Sequence, residues 1–188
     1  MSVGGISFQY SLHWIETEGG ELKQTEFPAY PGGNPRRALA EALCRDIPLG
    51  VCMTAYNMKF EKTRLEELAS VYSDLSAHLL DIRDHIVDLM LPFQKKWYYT
   101  RAMKGSYSIK YVLPALYPDD PQLDYHNLEG VHNGDEASGM FFAMHNMSGE
   151  ELEEWRKHLL RYCGLDTYAM VKVWERLCEV AGRQVAAW

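Results

Sequence analysis

One segment in the first half of the chain reads Val51-Cys52-Met53-Thr54-Ala55-Tyr56-Asn57-Met58-Lys59-Phe60-Glu61, and its pattern changes midway. The first half is a short, largely apolar run, which is typical of a buried strand over residues 51–56. The second half opens a helical repeat that continues through Leu65 and Leu68 to about residue 72. Glu61 therefore lies at a strand-to-helix junction, where open α/β folds bind ligands. The alternative is a first-turn Glu that only favours the helix dipole.

The rest of the chain predicts one small sheet covered by helices. Residues 7–15 alternate well enough to form a strand, and residues 22–27 fit the returning strand of a hairpin. Asn34 is suited to cap the next helix, with Pro35 at its first position. Further helices are predicted at about residues 60–72 and 76–91 and, after a surface loop at residues 119–139, from Ser148 to about residue 181, where Ser148 and Glu151 fit a capping box. This order predicts a single mixed α/β domain over residues 1–188.

Composition excludes several classes of protein. Hydrophobic residues make up 47% and charged residues 24% of the 188 residues, as in globular domains with a real core. No apolar run is long enough to span a bilayer and the N-terminus lacks signal-peptide features, so a cytoplasmic protein is expected. The net charge of −7 disfavours nonspecific binding to nucleic acid, although a locally basic groove remains compatible with it. The four cysteines lack metal-site spacing and are predicted to be reduced thiols, with Cys52 in a buried strand.

A second segment places Tyr162 and Asp166 four residues apart, on one face of a helix. Both side chains can therefore point into one site. Carboxylates are the ligands that hard cations such as Mg²⁺ require, and a neighbouring Tyr can hydrogen-bond a water molecule. Because a Tyr-x-x-x-Asp spacing is common, an ordinary amphipathic helix with a half-buried Tyr and a solvated Asp is the favoured explanation on spacing alone.

A third segment is basic and aromatic. The five cations are interleaved with aromatic residues, and no acidic residue falls between positions 95 and 118. Cations for phosphates and flat rings for bases are what a channel for single-stranded nucleic acid uses. Lys104, Ser106 and Lys110 are the predicted contacts. The alternative is that these aromatic side chains fill the core. The residues concerned are Lys95, Lys96, Arg101, Lys104 and Lys110, with Trp97, Tyr98, Tyr99, Tyr107 and Tyr111.

A helical face with two histidines and two aspartates also has metal-binding character. His78, Asp81, His85 and Asp88 recur at helical spacing. No matching ligand set occurs on another helix, which favours a solvated face. Asp88 is better explained as a residue that caps or supports the sheet.

These segments, together with Phe8-Gln9-Tyr10-Ser11-Leu12-His13 and the run from Gly105 to Leu116, resemble an uncharacterised bacterial family, domain of unknown function 2779. The second and third motifs also resemble those of the DEDD-type 3′–5′ exonucleases in the form with Tyr. That resemblance implies a ribonuclease H-like mixed sheet flanked by helices and a hydrolase that holds two Mg²⁺ or Mn²⁺ ions. It further implies Glu61 and Asp166 as ligands and Tyr162 as the residue that orients the attacking water. Nucleic-acid contacts would come from Asn57 and the three residues named above, although Asn57 could simply cap its helix.

The first motif of those exonucleases, Asp-x-Glu on the first strand, is not in this chain. The residues Glu16-Thr17-Glu18 have suitable side chains but sit at a hairpin turn. Relative to the family the chain is therefore expected to be N-terminally truncated, with half of the metal ligands and weak or no activity on single-stranded DNA or RNA. The alternative is a non-catalytic module that grips nucleic acid or docks on the RecB- or Cas4-like nuclease domain of full-length members. Without a first strand, a homodimer or a rearranged sheet is expected.

Overall fold

The computed structural model describes residues 2–3, 6–17, 20–28, 34–123 and 125–182. Its strands are β1 (Ser2–Val3), β2 (Ile6–Ser7), β3 (Tyr10–Trp14), β4 (Lys23–Phe27), β5 (Met53–Ala55) and β6 (Ile86–Asp88). Its α-helices are α1 (Arg36–Asp46), α2 (Met58–Val71), α3 (Ser76–Asp84), α4 (Leu91–Gln94), α5 (Ile109–Leu116), α6 (Gly134–Ala143) and α7 (Gly149–Val180). The protein is therefore mixed α/β and rich in helix.

The strands form separate pairs and not the single sheet predicted from the sequence. The predicted hairpin is confirmed as β3 and β4, which pair antiparallel with Tyr10 opposite Phe27. Strand β1 pairs antiparallel with β2, and β5 pairs parallel with β6. Within the described part of the chain no ladder joins β3 to β5, so the prediction of one continuous sheet is wrong.

Strand β6 replaces the end of a predicted helix. The helix predicted for residues 76–91 stops at Asp84, because the chain then pairs Ile86, Val87 and Asp88 with β5. The strand shows the alternating burial of a pleated segment, with Val87 exposed between two buried neighbours. Leu89 continues the pairing by donating its backbone N–H to the carbonyl of Ala55 at 2.8 Å.

Asp88 secures the start of α2. Its carboxylate accepts the backbone N–H groups of Asn57 and Met58 at 3.0 and 3.1 Å, and that of Met90 at 2.9 Å. Asn57 adopts φ 68°, in the left-handed region, and this turns the chain from β5 into the helix. The prediction that Asp88 supports the sheet is confirmed. Asn57 occupies the N-cap position but makes no side-chain capping hydrogen bond.

The described residues form two hydrophobic cores. One packs α1, α2 and α3 on β5 and β6, with Leu39, Leu68 and Leu79 fully or nearly buried. The other surrounds α5, α6 and α7, with Val112 and Leu159 fully buried at its centre. Helix α7 runs from Gly149 to Val180 and also packs against β3, so it joins the hairpin to the second core.

Gly164 allows a close approach between α7 and the β3–β4 hairpin. A Cβ at this position would lie 3.3 Å from Gln24 Nε2 and 3.4 Å from Glu26 Oε1. The helix is one continuous element through this residue. The hairpin therefore lies against the middle of α7, within reach of Asp166.

Several local predictions need correction. Ser148 precedes α7 but makes no capping hydrogen bond, so the capping box is not formed. Asn133, placed by sequence in a surface loop, caps α6 by accepting the N–H groups of Asp135 and Glu136. Pro35, and not Asn34, is the N-cap of α1.

Cys52 is exposed and precedes β5, because the buried strand is shorter than predicted. Cys44, Cys52 and Cys163 are free thiols, as predicted. No described helix is long and apolar enough to cross a membrane.

Candidate functional site

A cavity of about 740 Å³ lies between the two cores, and the predicted catalytic residues all line it. Its walls come from β3 and β5 and from helices α1, α2, α6 and α7. Glu61 enters from the first turn of α2, whereas Tyr162 and Asp166 enter from α7. The structure thus brings Glu61 together with Tyr162 and Asp166, which lie about a hundred positions later in the sequence.

Asp166 is held by two tyrosines. The hydroxyl of Tyr125 donates to Asp166 Oδ1 at 2.9 Å, and Tyr162 also hydrogen-bonds this carboxylate. The rings of Tyr125 and Tyr162 meet edge to face, with centroids 6.1 Å apart. The side-chain position of Asp166 is therefore fixed by contacts within the protein.

Burial controls the protonation of Asp166. The pKa of its carboxyl is raised from 3.8 to about 6, chiefly by loss of hydration. The negative charge of Glu61 contributes to this rise, and the hydrogen bonds of Tyr125 and Tyr162 limit it. A cation bound beside Asp166 would lower the pKa and favour the charged form.

The tyrosines are donors and not bases in this site. Burial is the main cause that raises the pKa of Tyr125 and of Tyr162 above its usual value, and the charge of Asp166 adds to the rise in both. Each hydroxyl therefore keeps its proton at neutral pH. Cys163, next in sequence, has a pKa raised to about 12 by burial, so its thiol is a packing group and not a nucleophile.

Glu61 is exposed at the edge of the cavity, close enough for its charge to act on both Asp166 and Cys163. Among the described residues, no three His, Cys, Asp or Glu side chains come together as a metal-binding group. The donors fit a hard cation in type, because both are carboxylates, but they are fewer than the six oxygen ligands that Mg²⁺ prefers.

Tyr125 was missed by sequence reasoning. It lies in a short 3₁₀ turn, Tyr125–Asn127, inside the region predicted as surface loop. It is nonetheless only 6% exposed. No hydrophobic repeat surrounds it, so the sequence carries no periodic signal for its burial.

The basic aromatic segment (residues 95–111) lies on the surface. Four of its five aromatic side chains are exposed, and Trp97 is 76% exposed. The exception is Tyr98, which packs edge to face on Phe93 at 5.9 Å. The alternative that these rings fill the core is therefore wrong for most of them. The exposed aromatic residues are Trp97, Tyr99, Tyr107 and Tyr111, and all five cations of the segment are exposed as well.

The predicted nucleic-acid contacts lie outside the cavity lining. Lys104 follows a 3₁₀ turn with φ 51°, and Lys110 lies in the first turn of α5. Ser106 Oγ accepts the backbone N–H of Ser108 at 3.2 Å. The hydroxyl of Tyr56 donates to the carbonyl of Tyr107 at 2.6 Å, which anchors this segment beside the end of β5 and Asn57.

The helical face with two histidines and two aspartates makes hydrogen bonds within the protein. His78 Nε2 donates to the carbonyl of Ile47 at 2.7 Å, and His85 Nδ1 donates to that of Asp81 at 2.8 Å. The carboxylate of Asp81 accepts the N–H of Gly50 at 2.8 Å. The contacts of His78 and Asp81 hold the loop before β5, whereas that of His85 stays within its own helix.

Fold and site define a mixed α/β domain with a carboxylate-bearing cavity between two small sheets. The chain belongs to the family described as Domain of unknown function (DUF2779), whose model matches residues 4–108. That match includes Glu61 and most of the basic aromatic segment, and it ends before Tyr162 and Asp166. No curated protein and no solved structure matches the chain.

Proposed function

We propose that this protein is a ribonuclease H-like 3′–5′ exonuclease domain of the DEDD type, in the form with Tyr. Its substrate is the end of single-stranded DNA or RNA, and its cofactor is Mg²⁺ or Mn²⁺. The observation that carries the proposal is the meeting of Glu61, Tyr162 and Asp166 in one cavity. Nothing in their sequence separation requires this meeting.

The cavity residues have separable roles in the proposed reaction. Glu61 and Asp166 hold the metal, which supplies an activated water and stabilises charge on the phosphorus centre when bound. Tyr162 keeps its proton and orients the attacking water by hydrogen bonding. Tyr125 positions Asp166 through the 2.9 Å hydrogen bond. This set holds fewer carboxylates than a two-metal site uses, so the chain by itself is expected to be weakly active or inactive.

The basic aromatic segment supplies the proposed path for the strand. Its five cations are exposed, and residues 95–118 contain no acidic residue, which suits a surface that binds phosphates. Its exposed rings can stack on bases without sequence preference. The hydrogen bond between Tyr56 and Tyr107 connects this surface to the end of β5. Helix α2, which carries Glu61 in its first turn, begins there.

The proposal is tested by supplying the missing carboxylates. A variant with a strand ahead of Met1 that contains Asp-x-Glu should degrade a 5′-labelled single strand from its 3′ end with Mn²⁺, and EDTA should stop it. The matched control carries Asn-x-Gln in the same extension. Equal rates in the two variants, or no hydrolysis by either at high Mn²⁺, would overturn the exonuclease proposal.

A second candidate is a non-catalytic module that binds nucleic acid or docks on a RecB- or Cas4-like nuclease domain. The exposure of Trp97 and its neighbours favours it, because binding needs only this surface. The exonuclease proposal requires Asp166 as a metal ligand, whereas the binding module does not use Asp166. Binding of a single strand by the unextended chain, together with inactivity of the acidic extension, would select the module.

A further inference from the structure

Arg64 places a positive charge in the wall of the cavity. Among the described residues that line the cavity, it is the only lysine or arginine, and it shares the space with the carboxylates of Glu61, Asp135 and Asp166. An anionic substrate that enters such a space is repelled unless a cation offsets the negative charge. Arg64 is placed to supply that cation.

Helix α2 carries Glu61 and Arg64 on the same face. Both residues line the cavity together with Leu65 and Leu68, and the spacing of these positions is that of a single helical stripe. Three helical residues advance by about 4.5 Å along the axis, so Arg64 lies roughly one turn beyond Glu61. A phosphoryl group held near Glu61 is therefore within reach of the long Arg64 side chain.

The guanidinium of Arg64 is held only by weak contacts. One terminal nitrogen pairs with Glu67 at 2.8 Å, and the Glu67 side chain is 46% exposed, so water weakens this pair. The Nε–H group is covered and has no acceptor in the described part of the chain. The guanidinium carbon lies 5.6 Å from the centre of the Phe60 ring, which also lines the cavity. A rotation toward the cavity therefore exchanges a weak surface pair for contact with a ligand.

A phosphate group fits these donors better than other anions of a nucleic acid strand. A guanidinium presents a planar fork that binds two oxygens of one phosphoryl group, which an ammonium cannot do. A phosphoryl oxygen would also satisfy the Nε–H, and a buried donor without an acceptor is costly. Lys104 and Lys110 lie outside the cavity lining, so they cannot hold the phosphate at which cleavage is proposed.

We propose that Arg64 binds the phosphoryl group on which the cavity acts, with its N–H groups donating to the non-bridging oxygens. This role rests on the proposed function for the identity of the ligand, a nucleotide phosphate. Arg64 holds the phosphorus centre beside Glu61 and Asp166 and offsets the negative charge that grows on the oxygens during hydrolysis. Glu67 occupies the same guanidinium when no phosphate is bound.

Titration with thymidine 5′-monophosphate and with thymidine tests this role, because the two probes differ only in the phosphate. Calorimetry in Mn²⁺ and again in EDTA gives both affinities, and the unaltered chain should prefer the monophosphate. Arg64→Gln should weaken monophosphate binding by about tenfold or more, since charged hydrogen bonds are lost, and should leave thymidine binding unchanged. Arg64→Lys should recover only part of the loss, because an ammonium lacks the fork.

Glu67→Gln is the matched control. It removes the partner of Arg64 and keeps the guanidinium, so monophosphate should bind as tightly as to the unaltered chain, or more tightly. The two substitutions break the same ion pair, and a role of Arg64 in that pair alone predicts the same result for both. Thermal melts of each variant check that the fold is intact.

Three results would overturn the role of Arg64. The first is an unaltered chain that shows no preference for the monophosphate in either condition. The second is an Arg64→Gln variant that keeps the preference. The third is an equal loss of monophosphate binding in Glu67→Gln. The exonuclease proposal is judged separately: if Arg64→Gln abolishes the preference but the Asp-x-Glu extension gives no hydrolysis, the phosphate site stands and the exonuclease activity does not.

Discussion

The cavity and the basic aromatic segment handle charge in opposite ways. In the cavity, the Asp166 carboxyl is held by two tyrosine hydroxyls and has a pKa raised to about 6. In the segment, the cations are exposed beside exposed rings such as that of Trp97. Removal of a buried group leaves its partners unsatisfied, whereas an exposed cation contributes a small, salt-screened share. Substitutions in the cavity are therefore expected to have large effects, whereas substitutions of single cations in the segment are expected to have small effects that add up.

The largest expected difference between the two regions is in hydrolysis. In the variant with the Asp-x-Glu extension, Asp166→Asn should lower Mn²⁺-dependent hydrolysis on the order of 100-fold if Asp166 is the metal ligand that we propose. Lys104→Ala in the same background should mainly raise KM. Single-turnover assays with a labelled strand, combined with binding measured in EDTA, separate the two effects. Equal loss of binding in both variants would remove the distinction.

The second expected difference is in how the free energy of unfolding depends on pH. Unfolding returns Asp166 from a pKa of about 6 to its ordinary value of 3.8. Between these values the native state binds more protons than the unfolded state, so stability falls as pH rises through pH 4–6 and then levels off. The loss is about 3 kcal/mol.

Urea denaturation at several pH values measures this loss. Asp166→Asn should abolish most of the fall in stability, and Asp119→Asn, at an exposed position, should leave it unchanged. A fall of the same size in Asp166→Asn would show that other groups cause it.

The third difference contrasts neighbouring rings in the segment. Trp97→Ala should weaken single-strand binding by about 1–3 kcal/mol, because a stacking platform is lost. The thermal midpoint should stay unchanged, since Trp97 is 76% exposed. Tyr98→Ala is the matched control and should instead lower the midpoint, because Tyr98 packs on Phe93. Fluorescence anisotropy and thermal melts of both variants make the comparison.

The smallest expected effect is that of replacing exposed lysines on the salt dependence of binding. The double variant Lys104→Ala, Lys110→Ala should flatten the salt dependence of single-strand binding by roughly 1.4 in the log–log slope, at about 0.7 per phosphate contact. Lys157→Ala, exposed on α7, should leave the slope as it is. If the double variant keeps the full slope, these two lysines do not contact phosphates.

The sequence predicts elements whose patterns are complete within themselves. The hairpin β3–β4 and helices α2 and α7 have clear alternation or helical repeats, and each appears close to its predicted bounds. Strand β6 has 3 residues, too few to show a period, and its parallel partner lies 33 positions earlier. Its pairing depends on tertiary structure. Because helices lie on both sides of it, the sequence pattern does not show that the helix is interrupted.

The residues of the candidate site also fall into those that the sequence predicts and one that it does not. Glu61, Tyr162 and Asp166 were singled out from residue type and spacing. Tyr125 was not, because its position is set by packing against α7. Whether the rings at positions 97–111 face the core or the solvent could not follow from their composition. An aromatic residue suits both environments, and only the completed fold decides between them.

Asp88 has a consequence for the order in which the protein folds. Its three hydrogen bonds close the unit from β5 through α2 and α3 to β6, in which all contacts span fewer than about forty residues. The hairpin instead reaches α7 through Gln9 with Leu159 and His13 with Thr167, about 150 positions away. Closing such long loops costs more chain entropy, so the local unit should form early and the docking of α7 late. The cavity exists only after both events, and Asp166 becomes buried as the last contacts close.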